Sequence, residues 1–348
     1  MISLKKLTFK RGFLIFTILF FIVLVLAAQN DKTGYIIPEN PMKVEENQTL
    51  TYFYYWYDLP NGPHSTALTD VPADENTSYK NVSWFEKQLV DMQEAGIDTA
   101  LAVYWGEREE SSIPGLTNLV KARSNLISRG ERAPKIGLFL DTGLFGLLPQ
   151  NQRNLTSKKG KERFYNYIKE FYQKVPREYW GLINQKPVVW LYGNYFEIEF
   201  DQTTFDFIYS SFEKDFGTRP YIVREASWNY PQKKSWSKIK VDFSKPIFTD
   251  NYYEWGAAYT GFKDVGGVFA VGSGYDERDL PDPKRQGLYR SRENGHGFRE
   301  NLMKAISQEK KLIVIETWNE FHEASDIAES KEYGRQYIEI SKEYLKNY

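Results

Sequence analysis

From Leu50 onwards, short apolar runs alternate with amphipathic stretches, the rhythm of strands buried on both faces and helices buried on one. The strand-like runs are Thr51 to Tyr57, Asp98 to Tyr104, Lys135 to Leu140, Pro187 to Leu191, Tyr221 to Val223, Pro246 to Phe248, Gly267 to Val271 and Lys311 to Ile315. Ser83-Trp84-Phe85-Glu86 reads as a capping box opening a helix whose Phe85, Leu89 and Met92 share one face and which Gly96 ends. Further helical patterns cover Leu116 to Ile127, Glu162 to Gln173, Phe205 to Phe212 and Phe298 to Ile306, and a last one carries Tyr333, Tyr337, Ile340 and Tyr344 as an inward stripe. Strands alternating with helices in this way predict an α/β fold, a single (β/α)8 TIM barrel over residues 50–348. A doubly wound sheet is the alternative, because the fifth and sixth strands are the shortest.

Ahead of the barrel, Lys5, Lys6, Lys10 and Arg11 precede an apolar run from Phe13 to Ala28. That is the charge order of an export signal, a signal peptide or signal anchor over residues 1–30. The run approaches the roughly 17 to 25 residues of a membrane span. It favours one N-terminal hydrophobic helix that stays uncut and anchors the chain in the membrane, whereas cleavage after Ala27-Ala28 secretes it. Either way the positive flank stays in the cytoplasm and the rest lies outside. Residues 31–49 are polar, include Pro38 and Pro41, and read as a tether.

Composition narrows the classes. Lysines and arginines total 45 against 46 acids, with no basic stripe, which excludes nucleic acid as the partner. There is no cysteine, so an exported domain must stand without disulfides. Asn47, Asn76, Asn81 and Asn154 head N-x-S/T sequons, acceptors for glycosylation in a host that has the machinery. With three histidines and no cluster of ligand residues, no metal or cofactor is expected. Aromatic residues make up 16% of the chain, enough to fill a core and also to line a cleft with flat apolar faces for sugar rings.

The densest chemistry follows the last strand, where Lys310 to Glu323 reads K-K-L-I-V-I-E-T-W-N-E-F-H-E. A buried strand empties into Glu320 and Glu323, three apart, with His322 between. Two carboxyls this close resist ionising together, so one is expected to hold its proton while the other stays anionic, the division that glycosidic acid/base chemistry uses. The plainer reading is a solvated loop or a helix N-terminus, where acids are favoured by the dipole. In a barrel the chemistry gathers at the C-terminal ends of the strands. Standing there are Tyr57 and Asp58, Trp105 and Glu107, Asp141, Tyr192, Arg224 and Glu225, Asp250, Tyr275 and Asp276, then Glu316, Asn319, Glu320 and Glu323. Acids, amides and rings in that proportion describe a carbohydrate site.

Three stretches resemble one family. Asn319-Glu320-Phe321-His322-Glu323-Ala324-Ser325-Asp326-Ile327 is similar to the N-E-W-H-E-G-T-x-I segment of glycoside hydrolase family 99, the endo-α-mannosidases and endo-α-mannanases, in the family 71/99 neighbourhood. Gly274-Tyr275-Asp276-Glu277-Arg278, with Arg292 and Gly295 downstream, is similar to G-Y-D-D-T-R and its later R-x-x-G; Tyr54 to Tyr57 and Tyr104-Trp105-Gly106 are similar to the family's first two strand ends. The resemblance implies a retaining hydrolase of α-linked, mannose-containing glycans. In it Glu320 takes the proton of the sugar 2-hydroxyl and Glu323 is the general acid/base. It also implies substrate contacts by Tyr57, Trp105, Asp141, Tyr275, Asp276, Arg292, Asn319 and His322. Phe321, Ala324 and Ser325 depart from the pattern, as does the stretch after Leu59, and these departures bear on which sugar is taken. Two rivals stand beside this reading. One is a double-displacement glycosidase with a nucleophile such as Glu225 on another strand. The other is a non-catalytic carbohydrate-binding or polysaccharide-assembly barrel.

Overall fold

The computed structural model of the chain describes residues 41–194, 197–235, 238–281 and 287–348. The expected N-terminal helix and most of the tether lie outside them. No helix among the described residues is long and apolar enough to cross a membrane.

Among the described residues eight parallel strands appear in chain order: β1 Gln48–Phe53, β2 Thr99–Tyr104, β3 Lys135–Leu140, β4 Lys186–Leu191, β5 Tyr221–Glu225, β6 Asn251–Tyr253, β7 Val268–Gly272 and β8 Leu312–Glu316. From β1 to β6 each pairs with the next, β7 pairs with β8, and β8 returns to β1 in parallel, with Leu50 opposite Val314 on one side and Thr99 on the other. The ladder is interrupted between β6 and β7, where Phe262–Val265 pairs antiparallel with β7. At this seam the Gly267 N–H donates to the Asn251 side-chain oxygen at 2.8 Å. A Cβ on Gly266, whose φ is 63°, would lie 2.1 Å from the Tyr252 carbonyl oxygen, so only glycine lets the two edges approach. The result is a nearly closed α/β barrel.

Among the described residues six helices of ten or more residues wrap it: α1 Val82–Glu94, α2 Ser112–Ser128, α3 Lys158–Lys174, α4 Gln202–Phe216, α5 His296–Ser307 and α6 Gln336–Leu345. After β5 stands an antiparallel hairpin, Gln232–Ser235 with Lys238–Val241, and after β6 the single turn Ala257–Thr260, at places where a regular (β/α)8 barrel has helices. Much of the aromatic content fills the barrel itself. Tyr52 packs on Phe139 at 4.6 Å and on Trp190 at 6.0 Å between ring centres, and Trp255 stacks on Phe139 from above.

Several boundaries differ from the pattern, each for a physical reason. The sixth strand runs over Asn251–Tyr253, after the Pro246 to Phe248 run, because proline has no N–H for a ladder and Ile247 spends its own on Asn229. The first strand stops at Phe53, since Asn319 takes over the backbone groups of Tyr54. Helix α1 is capped by Asn81, which accepts the Ser83 N–H at 3.1 Å, in place of a box at Ser83. The tether's end is already ordered: Met42 N–H donates to the Asp250 carbonyl at 2.8 Å. Three sequon asparagines are also structural. Asn81 is that cap, Asn154 accepts the Thr156 N–H, and Asn47 donates to the Tyr348 carbonyl.

Candidate active site

Residues 317–328, leaving β8, form a loop folded back on itself. Thr317 N–H donates to the Ser325 carbonyl at 3.0 Å, Ser325 N–H to the Glu320 carbonyl at 3.2 Å and Ile327 N–H to the Trp318 carbonyl at 2.9 Å. Trp318 is anchored below, its indole donating to Gln88 on α1 at 2.7 Å. The fully buried Asn319 ties the loop to the first strand: its side-chain oxygen accepts the Tyr54 N–H at 2.8 Å and its amide donates to the Tyr54 carbonyl. Tyr57 closes the same joint, donating from its hydroxyl to the Asn319 carbonyl at 2.9 Å and accepting the Phe321 N–H at 3.1 Å. Glu320 and Glu323 thus project from backbone held at both ends.

Both line a cavity of about 550 Å³ at the C-terminal mouth of the barrel, with Asp141, His322, Tyr275 and Tyr192. Tyr54, Trp56 and Trp255 supply more of its wall, and His64, Ala67, Leu280 and Pro281 its rim. His322 is coupled to Glu320, its Nδ1 lying 2.8 Å from Oε1 and its backbone N–H 3.2 Å from the same oxygen. A carboxylate only accepts, so this pair calls for the tautomer with hydrogen on Nδ1. The ring in turn stacks on Tyr57 at 5.5 Å. Another cavity, about 470 Å³, opens at the opposite end of the barrel. Its Arg123 and Asp98 are used in packing, Arg123 donating to the Pro134 and Ala133 carbonyls and Asp98 accepting the Thr49 N–H, whereas the mouth gathers the expected site residues and is the candidate site.

Burial shapes the acids here. Asp141, which accepts the Gly143 N–H at 2.8 Å, is pushed up to about 6 by burial, against the pull of that amide and of the Trp105 indole. Glu316 lies beneath the cavity and is raised to about 8 by burial, although the Gly256 and Ala258 amides point at it. Glu225 is also raised by burial, and it accepts the Ser227 N–H at 2.7 Å. No group of three or more His, Cys, Asp or Glu that could hold a metal occurs among the described residues.

Of the expected contacts, Asp141, Tyr275, His322, Glu320 and Glu323 come together on the wall. Five others do not line the cavity. Tyr57 and Asn319 are buried behind it with their polar groups spent on the loop, as given above. Trp105 packs beside Asp141. Asp276 turns to Arg278, with which it makes two bonds of 2.9 and 2.8 Å, while its N–H supports the Glu323 carbonyl. Arg292 is 6% exposed and grips Asp70 at 2.7 Å and Asp326 at 2.9 Å, an ion triad joining three loops. Tyr54 and Trp56 were missed although the strand period points to them, because Tyr52 faces inward and positions 54 and 56 follow it on the same side. Trp255 was hidden by the misplaced sixth strand.

The chain belongs to DUF5010, a domain family of unknown function whose profile matches residues 40–348. No curated protein matches it in sequence. Among solved structures it is similar to the GH99 endo-α-mannosidase from Bacteroides thetaiotaomicron, with a TM-score of 0.60 at 13% identity over 88% of this chain and 98% of that one. A complex of that enzyme with Bis-Tris-propane gives 0.61 at 15% identity over the same shares. A glycoside hydrolase-like protein gives 0.59 at 14% identity over 91% of this chain and 99% of that one. At these identities the likeness is one of fold, and it agrees with the family 99 resemblance read from the strand ends.

Two outcomes follow from this geometry. Asn319→Ala leaves a buried N–H and carbonyl of Tyr54 without partners and lowers stability by roughly 2–4 kcal/mol in urea denaturation. Glu316 in the folded chain keeps its proton to about 8, against 4.5 for the free side chain. Its stabilising contribution is therefore complete below 4.5 and lost as pH rises through 8. Between pH 5 and 9 the native chain loses roughly 4 kcal/mol that Glu316→Gln retains, measured as the difference between their unfolding curves.

Proposed function

We propose that the chain is an exported, membrane-anchored glycoside hydrolase that cleaves α-linked glycans with retention, mannose-containing chains being the first to test. The observation that carries this is the placement of Glu320 and Glu323 together on the wall of a ring-lined cavity at the barrel mouth. Export is supported by the basic flank and apolar run of the first 30 residues. The Glu225 alternative has less support, because that carboxyl is 3% exposed, bonded to the Ser227 amide and away from the cavity wall.

In this reading the Glu320 carboxylate takes the proton of the sugar 2-hydroxyl as its oxygen closes onto the anomeric carbon. Glu323 gives its proton to the departing glycosidic oxygen as that bond breaks. Glu323, now a carboxylate, draws a proton from water, which opens the three-membered ring at the anomeric carbon while Glu320 returns the first proton to the 2-oxygen. Two inversions leave the configuration as it began. His322 holds one Glu320 oxygen, leaving the other to the substrate. Trp56, Tyr192 and Trp255 offer faces to the apolar side of the sugar rings.

The test compares leaving groups. Glu323→Gln loses about 10²–10⁴-fold on natural glycans and regains most of the leaving-group step, read as the rate of initial aryl release, on activated aryl α-glycosides, which depart without a proton, whereas Glu320→Gln is impaired on both. Equal, low turnover by the parent and both variants on every glycan offered points to a binding module.

A further inference from the structure

A third group stands among the carboxyls of the mouth. Tyr54 is 6% exposed, its side chain lines the cavity, and its hydroxyl is turned to no fixed partner among the described residues that would compete with a ligand there. The charges that act on it most strongly are Glu320 and then Glu323, with Tyr192 and Asp141 acting more weakly. Burial and these neighbours hold the phenol well above its ordinary range, so it stays a neutral O–H that can donate but not ionise. The two charged acceptors that act on it most strongly, Glu320 and Glu323, are those of the proposed machinery.

The residue is also fixed. Its ring lies against Trp56 at 4.8 Å between centres, and its N–H and carbonyl are both held by Asn319, the residue immediately before Glu320. One clamp therefore sets the spacing of the Tyr54 hydroxyl and the Glu320 carboxyl. A donor preset beside a general base is suited to charge that appears only during reaction, since it needs no rearrangement when the charge develops.

We propose that Tyr54 is a further catalytic residue, whose hydroxyl donates a hydrogen bond to the sugar 2-oxygen as Glu320 removes that oxygen's proton. This rests on the hydrolase reading above. The bond strengthens as negative charge builds on the 2-oxygen, so its loss is felt in turnover more than in ground-state binding. Tyr54→Phe keeps the ring, its packing and the backbone clamp and removes the hydroxyl alone.

The experiment measures kcat and KM of the parent and Tyr54→Phe on a natural α-linked glycan and on an activated aryl α-glycoside, with Tm as the control for folding. The expected result is a kcat lower by about 10²-fold on both substrates, with KM and Tm close to the parent's. A good leaving group gives no rescue, in contrast to Glu323→Gln. Activity of Tyr54→Phe equal to the parent's overturns the proposal, as does a loss that appears only in KM. So does a loss cured by the activated leaving group, since that places the hydroxyl on the departing oxygen. A parent inactive on both substrates sinks the hydrolase reading itself, a result separable from all of these.

Discussion

The bond pair between the Asn319 side chain and the Tyr54 backbone is the constraint on which the mouth of this barrel depends. A strand that leaves a sheet exposes a backbone N–H and carbonyl that must find partners, and the barrel ladder stops supplying them at Phe53. An asparagine amide has the same donor and acceptor as a peptide and can stand in for one more rung. By doing so from the loop after β8, Asn319 lets the chain diverge from the barrel where a cavity is wanted, without leaving buried polar groups unpaired. Tyr57 repeats the device one turn further on. The outcome is that side chains on β1 and on the β8 loop, distant in sequence, keep a fixed relation.

Around that joint the structure is reinforced by charge. Arg292, Asp70 and Asp326 form a buried triad whose members come from the loops after β7, β1 and β8, so the three loops bordering the cavity are tied at a single point. Such a triad is costly to bury, and removing one member strands the others, which makes it better at enforcing one arrangement than at adding stability. Below the cavity, Glu316 is kept protonated by burial and held by the Gly256 and Ala258 amides. The barrel interior beneath is closed by rings, so a ligand entering the mouth meets a solid floor.

Much of the barrel was legible from alternation alone, because strands covered on both faces are apolar throughout and the helices between them carry one apolar stripe. The errors fell where local pattern and tertiary pairing disagree. Pro246 to Phe248 looks like a strand yet cannot pair as one, and the real β6, Asn251–Tyr253, is polar enough to escape notice. The two glutamates were visible because acids after a buried strand are conspicuous. Which aromatic faces the cavity was readable in principle from parity, Tyr54 and Trp56 against Tyr57, but the fold of residues 317–328 that hides Asn319 and Tyr57 behind the wall is made of long-range bonds no window of sequence contains. Arg292 looked like a substrate contact for the same reason, its partners Asp70 and Asp326 being far away in the chain, whereas Asp276 turns to its near neighbour Arg278.

The central claim, proposed above, is that Glu320 and Glu323 act together in two successive displacements at one anomeric carbon, so that each turnover inverts it twice. It is tested most directly by following hydrolysis of an α-linked oligosaccharide by proton NMR at times short against mutarotation. The account predicts that the new reducing end appears first as the α-anomer and equilibrates later. A β-anomer appearing first shows that water displaces the leaving group in one step, and contradicts it.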